Sequence, residues 1–125
     1  RAALLSRRYS DIVMDHFLHP RRVGELPDAS AKGRAENASC GDTLQLHLKI
    51  DGGRVSDARF RALGCTASIA ASSFLAEWVV GKTVEEAQAL TNEALAAAMG
   101  GLPPGKVHCS VLAREALAAC LAEGV

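Results

Sequence analysis

Leu44-Gln45-Leu46-His47-Leu48-Lys49-Ile50-Asp51-Gly52-Gly53 alternates apolar and polar residues and then breaks at a turn. A period of two over this length is a β-strand with one buried face. Asp-Gly-Gly suits the positive-φ positions of a tight hairpin. The return strand follows, where Ala58, Phe60 and Ala62 alternate with Arg59 and Arg61. Setting Ile50 against Arg54 makes the numbers of opposed residues sum to about 104, which pairs Leu44 with Phe60 and Leu46 with Ala58. The same register puts Cys40 next to Gly64 and Cys65 at one end of the sheet, where opposed Cα atoms lie roughly 4.5–5.5 Å apart.

Helices are expected on both sides of this hairpin. Ser10 is a good N-cap for a helix over about 11–19, whose apolar residues are Ile12, Val13, Phe17 and Leu18 and which Pro20 stops. Residues 20–38 carry Pro, Gly, Asp, Ser and Asn with little periodicity, and read as a long loop with one short edge strand near 31–36. After the hairpin the pattern predicts helices at about 67–80, 83–89 and 91–99. Thr83 and Glu86 form a capping box for the second of these. Gly100 to Lys106 is a stiff loop, and a last helix runs from about Ser110 to Glu123. The order helix, hairpin, helices implies an α+β fold, a small three-stranded antiparallel sheet with helices packed on one face.

The 125 residues fit one domain over 1–125, with 1–8 a flexible leader. Aromatic residues make up only 4 %, so the core must be built from Leu, Val, Ile and Ala, and its elements should approach closely. Lys and Arg total 14, as do Asp and Glu. A neutral balance argues against nucleic acid or an anionic membrane as the main partner. No segment has the length and apolarity of a membrane span. Arg1 to Arg8 lacks the apolar core of a secretory signal, although its Arg content also fits a transit remnant. Four cysteines without such a signal read as reduced thiols, metal ligands or catalysts rather than a disulfide framework, and the expected location is the cytoplasm, with an organellar matrix as the alternative.

Three of those cysteines stand where a side chain can be aimed outward: Cys40 before Gly41-Asp42, Cys65 after Gly64, and Cys109 after His108. Cys65 and Cys109 each precede a predicted helix, whose unpaired N–H groups favour a thiolate. Gly41 and Gly64 let the backbone bend beside two of the sulfurs. Three Cys with Asp42 or His108 as a fourth donor suit either tetrahedral zinc or a small iron–sulfur cluster. The spacing C-x24-C-x43-C matches neither a zinc ribbon nor a ferredoxin. His108 beside Cys109 is either a ligand or a base, so a thiol enzyme and a zinc-stabilised interaction domain are the rival readings. Cys120 falls on the face of Leu112, Ala113 and Ala116, roughly 16 Å along the helix from Cys109, and is assigned to the core. His47 is placed on the solvated face of its strand, and His16 and His19 are assigned to capping a helix end. Gly100 to Lys106 mimics a phosphate loop, but Val107 replaces the required hydroxyl and Pro103-Pro104 removes two N–H groups. The Pro-Pro step makes the loop extended and presentable to a partner.

These segments together resemble the IscU/NifU-type iron–sulfur cluster assembly scaffolds over nearly the whole chain. The matching residues are His19-Pro20-Arg21, Cys40-Gly41-Asp42, Ala58-Arg59-Phe60, Gly64-Cys65, Ile69 to Ser73, Glu77-Trp78-Val79, Gly81-Lys82, Glu85-Glu86-Ala87, Leu102-Pro103-Pro104 with Lys106, and His108-Cys109-Ser110. The stretch from His108 to Leu117 looks closer to the N-terminal domain of NifU, whereas the SufU-type branch typically lacks the His before the last Cys and has an insertion between the second and third Cys. The resemblance implies a scaffold and not an enzyme, on which a labile [2Fe–2S] cluster is built from iron and desulfurase-derived sulfur and passed to apo-proteins. It implies Cys40, Cys65 and Cys109 as assembly ligands, Asp42 as the residue that keeps the cluster labile, and His108 as an alternative donor. Zinc can occupy the same ligands in the isolated protein. Implied partners are a cysteine desulfurase, apo-protein or carrier acceptors, and a second copy in a homo-oligomer. Leu102, Pro103, Pro104 and Lys106 match the loop read by an Hsp70-type chaperone, with Gly105 where that family usually has Val.

Overall fold

The computed structural model describes residues 9–38 and 41–124. The leader expected over 1–8 and the expected ligand Cys40 lie outside the described residues. Alternation in sequence becomes alternation in burial. The three strands among the described residues are β1 (Ala31–Asn37), β2 (Asp42–Asp51) and β3 (Arg54–Leu63), in the spatial order β1-β2-β3 and antiparallel throughout. Three cross-strand rows face inward: Ala31–Leu48–Ala58, Gly33–Leu46–Phe60 and Ala35–Leu44–Ala62. The edge strand expected near 31–36 is therefore present and pairs along its whole length.

The hairpin register differs from the expected one by two residues. Leu44 opposes Ala62, Leu46 opposes Phe60 and Leu48 opposes Ala58. Gly52 and Gly53, with φ of 61° and 76°, form the turn and set Asp51, not Ile50, against Arg54. The ladder then slips between Lys49 and Ile50, and Ser56 is the extra residue on β3. Its hydroxyl lies 2.8 Å from Asp51 Oδ2 and 3.2 Å from Lys49 O and can donate to either, which holds the irregularity in place. Because the displacement is even, every side chain keeps its face and the inferred core survives.

Among the described residues, five α-helices surround the inner face: α1 (Asp11–Leu18), α2 (Thr66–Val79), α3 (Val84–Gln88), α4 (Asn92–Ala98) and α5 (His108–Gly124). Ser10 caps α1 and Thr83 with Glu86 closes the expected capping box on α3. The column of small residues on β1 admits α5 at close range. A Cβ on Gly33 would lie 2.4 Å from Ala116 O and 2.5 Å from Cys120 N, so only glycine allows this contact. Cys120 sits fully buried at that crossing with its sulfur 3.6 Å from Leu46 O, as its core assignment requires.

Two histidines differ from expectation. The segment 22–30 crosses the outer face of the sheet. Gly24 N–H donates to Phe60 O at the β3 edge, and Ser30 N–H donates to Leu48 O near β1. Between them Leu26 N–H donates to His47 Nδ1, so His47 is buried rather than solvated. His16 is also buried, with Nδ1 2.8 Å from Ser73 Oγ on α2 and its ring edge-on to Phe74. It joins α1 to α2 and does not serve as an exposed cap. His19 does occupy the α1 C-cap, through its backbone N–H. The Pro-Pro loop is extended only at Pro103; Pro104 to Lys106 forms a 3-10 turn that leads into α5. No helix among the described residues is long and apolar enough to cross a membrane.

Candidate metal centre

The site forms where three elements begin or end at one edge of the fold. Asp42 is the first residue of β2. Gly64 and Cys65 join β3 to α2, with Cys65 at the α2 N-cap. His108 and Cys109 open α5. The last helix starts two residues earlier than expected, so Cys109 lies inside its first turn and does not precede it.

The donor atoms of Asp42, His108 and Cys109 all lie within 4.8 Å of one another. The Cys65 sulfur is 3.7 Å from the Cys109 sulfur. Four of the five expected site residues thus converge, from positions as far apart in sequence as 42 and 109. Asp42 and Cys109 are buried, and Cys65 and His108 are half-buried. One wall is therefore closed and the other open. His108 also lines a groove of about 240 Å³ with Glu36, Asn37, Ala38, Val111, Leu112 and Glu115.

Two glycines shape the approach. Gly41 has φ of 74°, a left-handed conformation that a side chain resists, and its N–H donates to Asn37 O. A Cβ on Gly64 would come within 2.7 Å of Asp42 Oδ1 and 3.1 Å of Ser68 Cβ. Gly64 therefore makes the room that the buried carboxylate occupies.

Ser68 is the residue that sequence reasoning missed. Its hydroxyl is 2.6 Å from Asp42 Oδ2, 3.3 Å from the Cys109 sulfur and 3.6 Å from the Cys65 sulfur. It is 1 % exposed. The available signal was its place three residues after an N-cap, where a side chain turns back toward the cap. Within a run of small residues that signal looks like helix packing.

The two thiols do not behave alike. Burial raises the Cys65 thiol, but the Ser68 hydroxyl and backbone N–H, Cys109 and the charge of Lys106 outweigh it, and the net shift is downward. Cys109 is pushed up to about 12, first by burial and then by the neighbouring Cys65 and Asp42 charges, against the lowering hydrogen bond from Ser68. The expectation that both helix starts favour a thiolate therefore holds for Cys65 and fails for Cys109. A helix N-terminus cannot offset burial next to two other anionic groups. A donor set that resists full ionisation by itself becomes stable when a cation neutralises it. The residues present fit a thiophilic metal or cluster iron, with the carboxylate and imidazole as harder, exchangeable donors.

The profile of the NifU-like N terminal domain family matches residues 8–123. The iron–sulfur cluster assembly scaffold protein IscU 1 of Archaeoglobus fulgidus is 48 % identical over 109 residues, which cover 87 % of this chain and 71 % of that protein. The scaffold protein IscU of Haemophilus influenzae is 44 % identical over 119 residues, covering 92 % and 94 %. A solved chain from Fervidobacterium islandicum AW-1, described as an iron–sulfur cluster assembly scaffold for the SUF system, superposes with a TM-score of 0.77 at 25 % identity, covering 93 % of this chain and 98 % of that one. The N-terminal part of a NifU-like protein from Brucella abortus has the same fold, with a TM-score of 0.78 at 21 % identity. By its sequence and by its fold, this chain belongs to the family of the NifU-like N terminal domain, among relatives named IscU.

Proposed function

We propose that the protein is a scaffold on which a labile [2Fe–2S] cluster is assembled from iron and desulfurase-derived sulfur and then handed to apo-proteins. The observation that carries this reading is the convergence of Cys65, Cys109, Asp42 and His108 at an edge that is closed on one side and open on the other. In this reading Cys40, Cys65 and Cys109 hold the nascent cluster. The fourth position belongs to Asp42, His108 or a ligand from a partner, so it exchanges. Strong thiolate donors keep the cluster together during building, and a weak, replaceable donor lets it leave. Zinc fits the same donors and would occupy them in the isolated protein.

The relatives named as scaffolds support the reading, and the alternative of a thiol enzyme fits poorly. Cys109, the cysteine beside His108, is buried and its thiol is held far above neutral pH, the opposite of an activated nucleophile. The partners of this function are a cysteine desulfurase and apo-protein or carrier acceptors in the cytoplasm. Leu102, Pro103, Pro104 and Lys106 form the surface for a chaperone of the Hsp70 type, and a second copy of the chain can share a cluster.

Anaerobic incubation with ferrous iron, cysteine, a cysteine desulfurase and a thiol reductant, which supplies the electrons that turn the delivered sulfur into sulfide, tests the proposal. Visible thiolate-to-iron absorption should develop, with iron and acid-labile sulfide in equal amounts. A colourless protein that retains only zinc under these conditions is a structural zinc domain, and the scaffold reading fails.

A further inference from the structure

Ser68 occupies the centre of the donor set without being a conventional ligand. Its hydroxyl meets Asp42 Oδ2 at 2.6 Å and the Cys109 sulfur at 3.3 Å. A serine hydroxyl carries one proton and can donate to one of these acceptors at a time. The shorter contact is the one to the carboxylate, as expected of a charge-assisted O–H···O bond. Both acceptors are buried, so a partner lost by either is not replaced by bulk water. Ser68 itself is locked in place by position and packing. It is the third residue of α2, its Cβ faces the bare Cα of Gly64, and it is 1 % exposed.

We propose that Ser68 is a positioning residue of this site: its hydroxyl is turned to Asp42 when the site holds no metal, and turns to the Cys109 sulfur when the Asp42 carboxylate takes a metal. The hydroxyl keeps its proton and only rotates about its Cβ–Oγ bond; the proton of the Cys109 thiol is the one released, to solvent, as the sulfur takes the metal. The rotation has two consequences. In the empty site the buried carboxylate is oriented and satisfied without an ion. In the filled site the carboxylate oxygen is released to the metal at the moment the buried thiolate needs a donor. Ser68 therefore links the weak ligand to one strong ligand. When the carboxylate leaves the metal, the hydroxyl returns to it and holds it off, so the position it vacated is left to an incoming ligand. The inference rests on the metal-centre reading above, but it concerns the hydroxyl and can fail alone.

Cobalt(II) is a suitable probe, because its visible bands report both tetrahedral coordination and bonding to thiolate. The intact chain, Ser68→Ala and Ser68→Thr are titrated anaerobically with cobalt, and the metal-free proteins are melted in parallel. Groups that orient metal ligands typically change affinity by about 10–100-fold, and Ser68→Ala should fall in that range. Its thiolate-to-cobalt band should move to longer wavelength, because a sulfur that loses a hydrogen bond gives up its electrons more easily. Ser68→Thr keeps the hydroxyl, so the band should return to its original position even if the added methyl lowers the melting temperature. A purely packing role would alter the melt and leave the band where it was. A band that stays in place in Ser68→Ala, or moves equally in Ser68→Thr, overturns the proposal while leaving the metal centre intact. No thiolate band in the unmodified chain overturns the metal-centre reading and this proposal together.

Discussion

Cys109 and Cys120 lie on the same helix, and both are almost fully buried, at 1 % and 0 % exposure. Each also has a glycine at a crowded crossing nearby. Gly33 lies under Cys120 and Gly64 lies beside the Asp42 carboxylate that meets Cys109. Burial and residue type therefore cannot separate the two regions. Their company does. Cys120 has a backbone carbonyl of β2 and apolar neighbours, and its burial is that of a small hydrophobe. Cys109 has a carboxylate, a hydroxyl, a second thiol and an imidazole within reach. Nothing about a hydrophobic core calls for four polar groups to converge. The convergence is what the proposed metal centre requires.

The strongest way to break this comparison is to exchange sulfur for oxygen at each place. Cys65→Ser or Cys109→Ser should remove more than about nine-tenths of the cluster formed on reconstitution, since serine is a far weaker donor to iron than thiolate. Cys40→Ser should do the same. Cys120→Ser should assemble clusters at the unmodified level and lose only stability, by about 1–2 kcal/mol in a urea unfolding curve, because its hydroxyl can bond Leu46 O. If Cys120→Ser folds normally and yet assembles nothing, the two regions are not distinct.

The glycines give the next largest effect. A Cβ at Gly33 meets backbone atoms of α5 at 2.4–2.9 Å, and a helix cannot swing aside there without opening the core. Gly33→Ala should cost about 3 kcal/mol or more, as overpacking of a rigid contact does. At Gly64 the obstacle is the Asp42 carboxylate, a side chain that can turn. Gly64→Ala should cost about 1 kcal/mol of stability and about tenfold in zinc affinity, since it displaces the carboxylate and disturbs Ser68. Equal losses of stability from the two substitutions would show that the site wall is as rigid as the core.

The same contrast explains how much of the molecule is legible in the chain. Leu44 to Ile50 and Ala58 to Ala62 display their faces because burial on one side imposes a period of two. Thr83 and Glu86 display a helix start because the capping box is local. The two-residue error in register came from the bulge at Ser56, whose cause is a set of contacts among Lys49, Asp51 and Ser56 that no periodicity encodes. His47 and His16 were misplaced for a related reason. Each lies under a segment distant in sequence, 22–30 for His47 and α2 for His16, and a strand or helix pattern says nothing about what crosses it. Cys65 and Cys109, whose sulfurs the fold brings to 3.7 Å, stand out in the chain because a thiol beside a glycine or a histidine at a helix start is chemically conspicuous. Ser68 does not, because a serine in a run of small helical residues gains its meaning only from Asp42, 26 positions away.

Asp42 sharpens the comparison from inside the site. Asp42→Ala should weaken binding of simple divalent ions, because a ligand is lost. It should nevertheless lengthen the half-life of an assembled cluster several-fold, because the polar group through which water or an acceptor thiol enters is gone. Absorbance decay in an anaerobic transfer assay checks this, and an unchanged or shorter half-life would refute it.

The smallest effect concerns pH and lies away from the site. Burial pushes His16 below its ordinary range, with Arg21 acting in the same direction and Glu77 and Asp15 opposing it. Burial likewise lowers His47, with Lys32 and Arg61 adding to the shift and Glu25 opposing it. For both, the folded form releases its proton at a lower pH than the unfolded chain does. Between the two values the unfolded chain binds more protons, so stability rises with pH. The stabilisation is complete above the ordinary histidine range, near pH 6.5, and is lost as pH falls through the folded values. The slope cannot exceed about 1.4 kcal/mol per pH unit for each histidine. Urea unfolding from pH 7.5 down to pH 5 should show this decline in the metal-free protein, and His16→Gln should flatten it. The same decline should persist in the Cys65→Ser variant, because neither histidine is among the converging donors. Parallel curves for the unmodified protein and His16→Gln would mean that the α1–α2 contact does not exclude the proton.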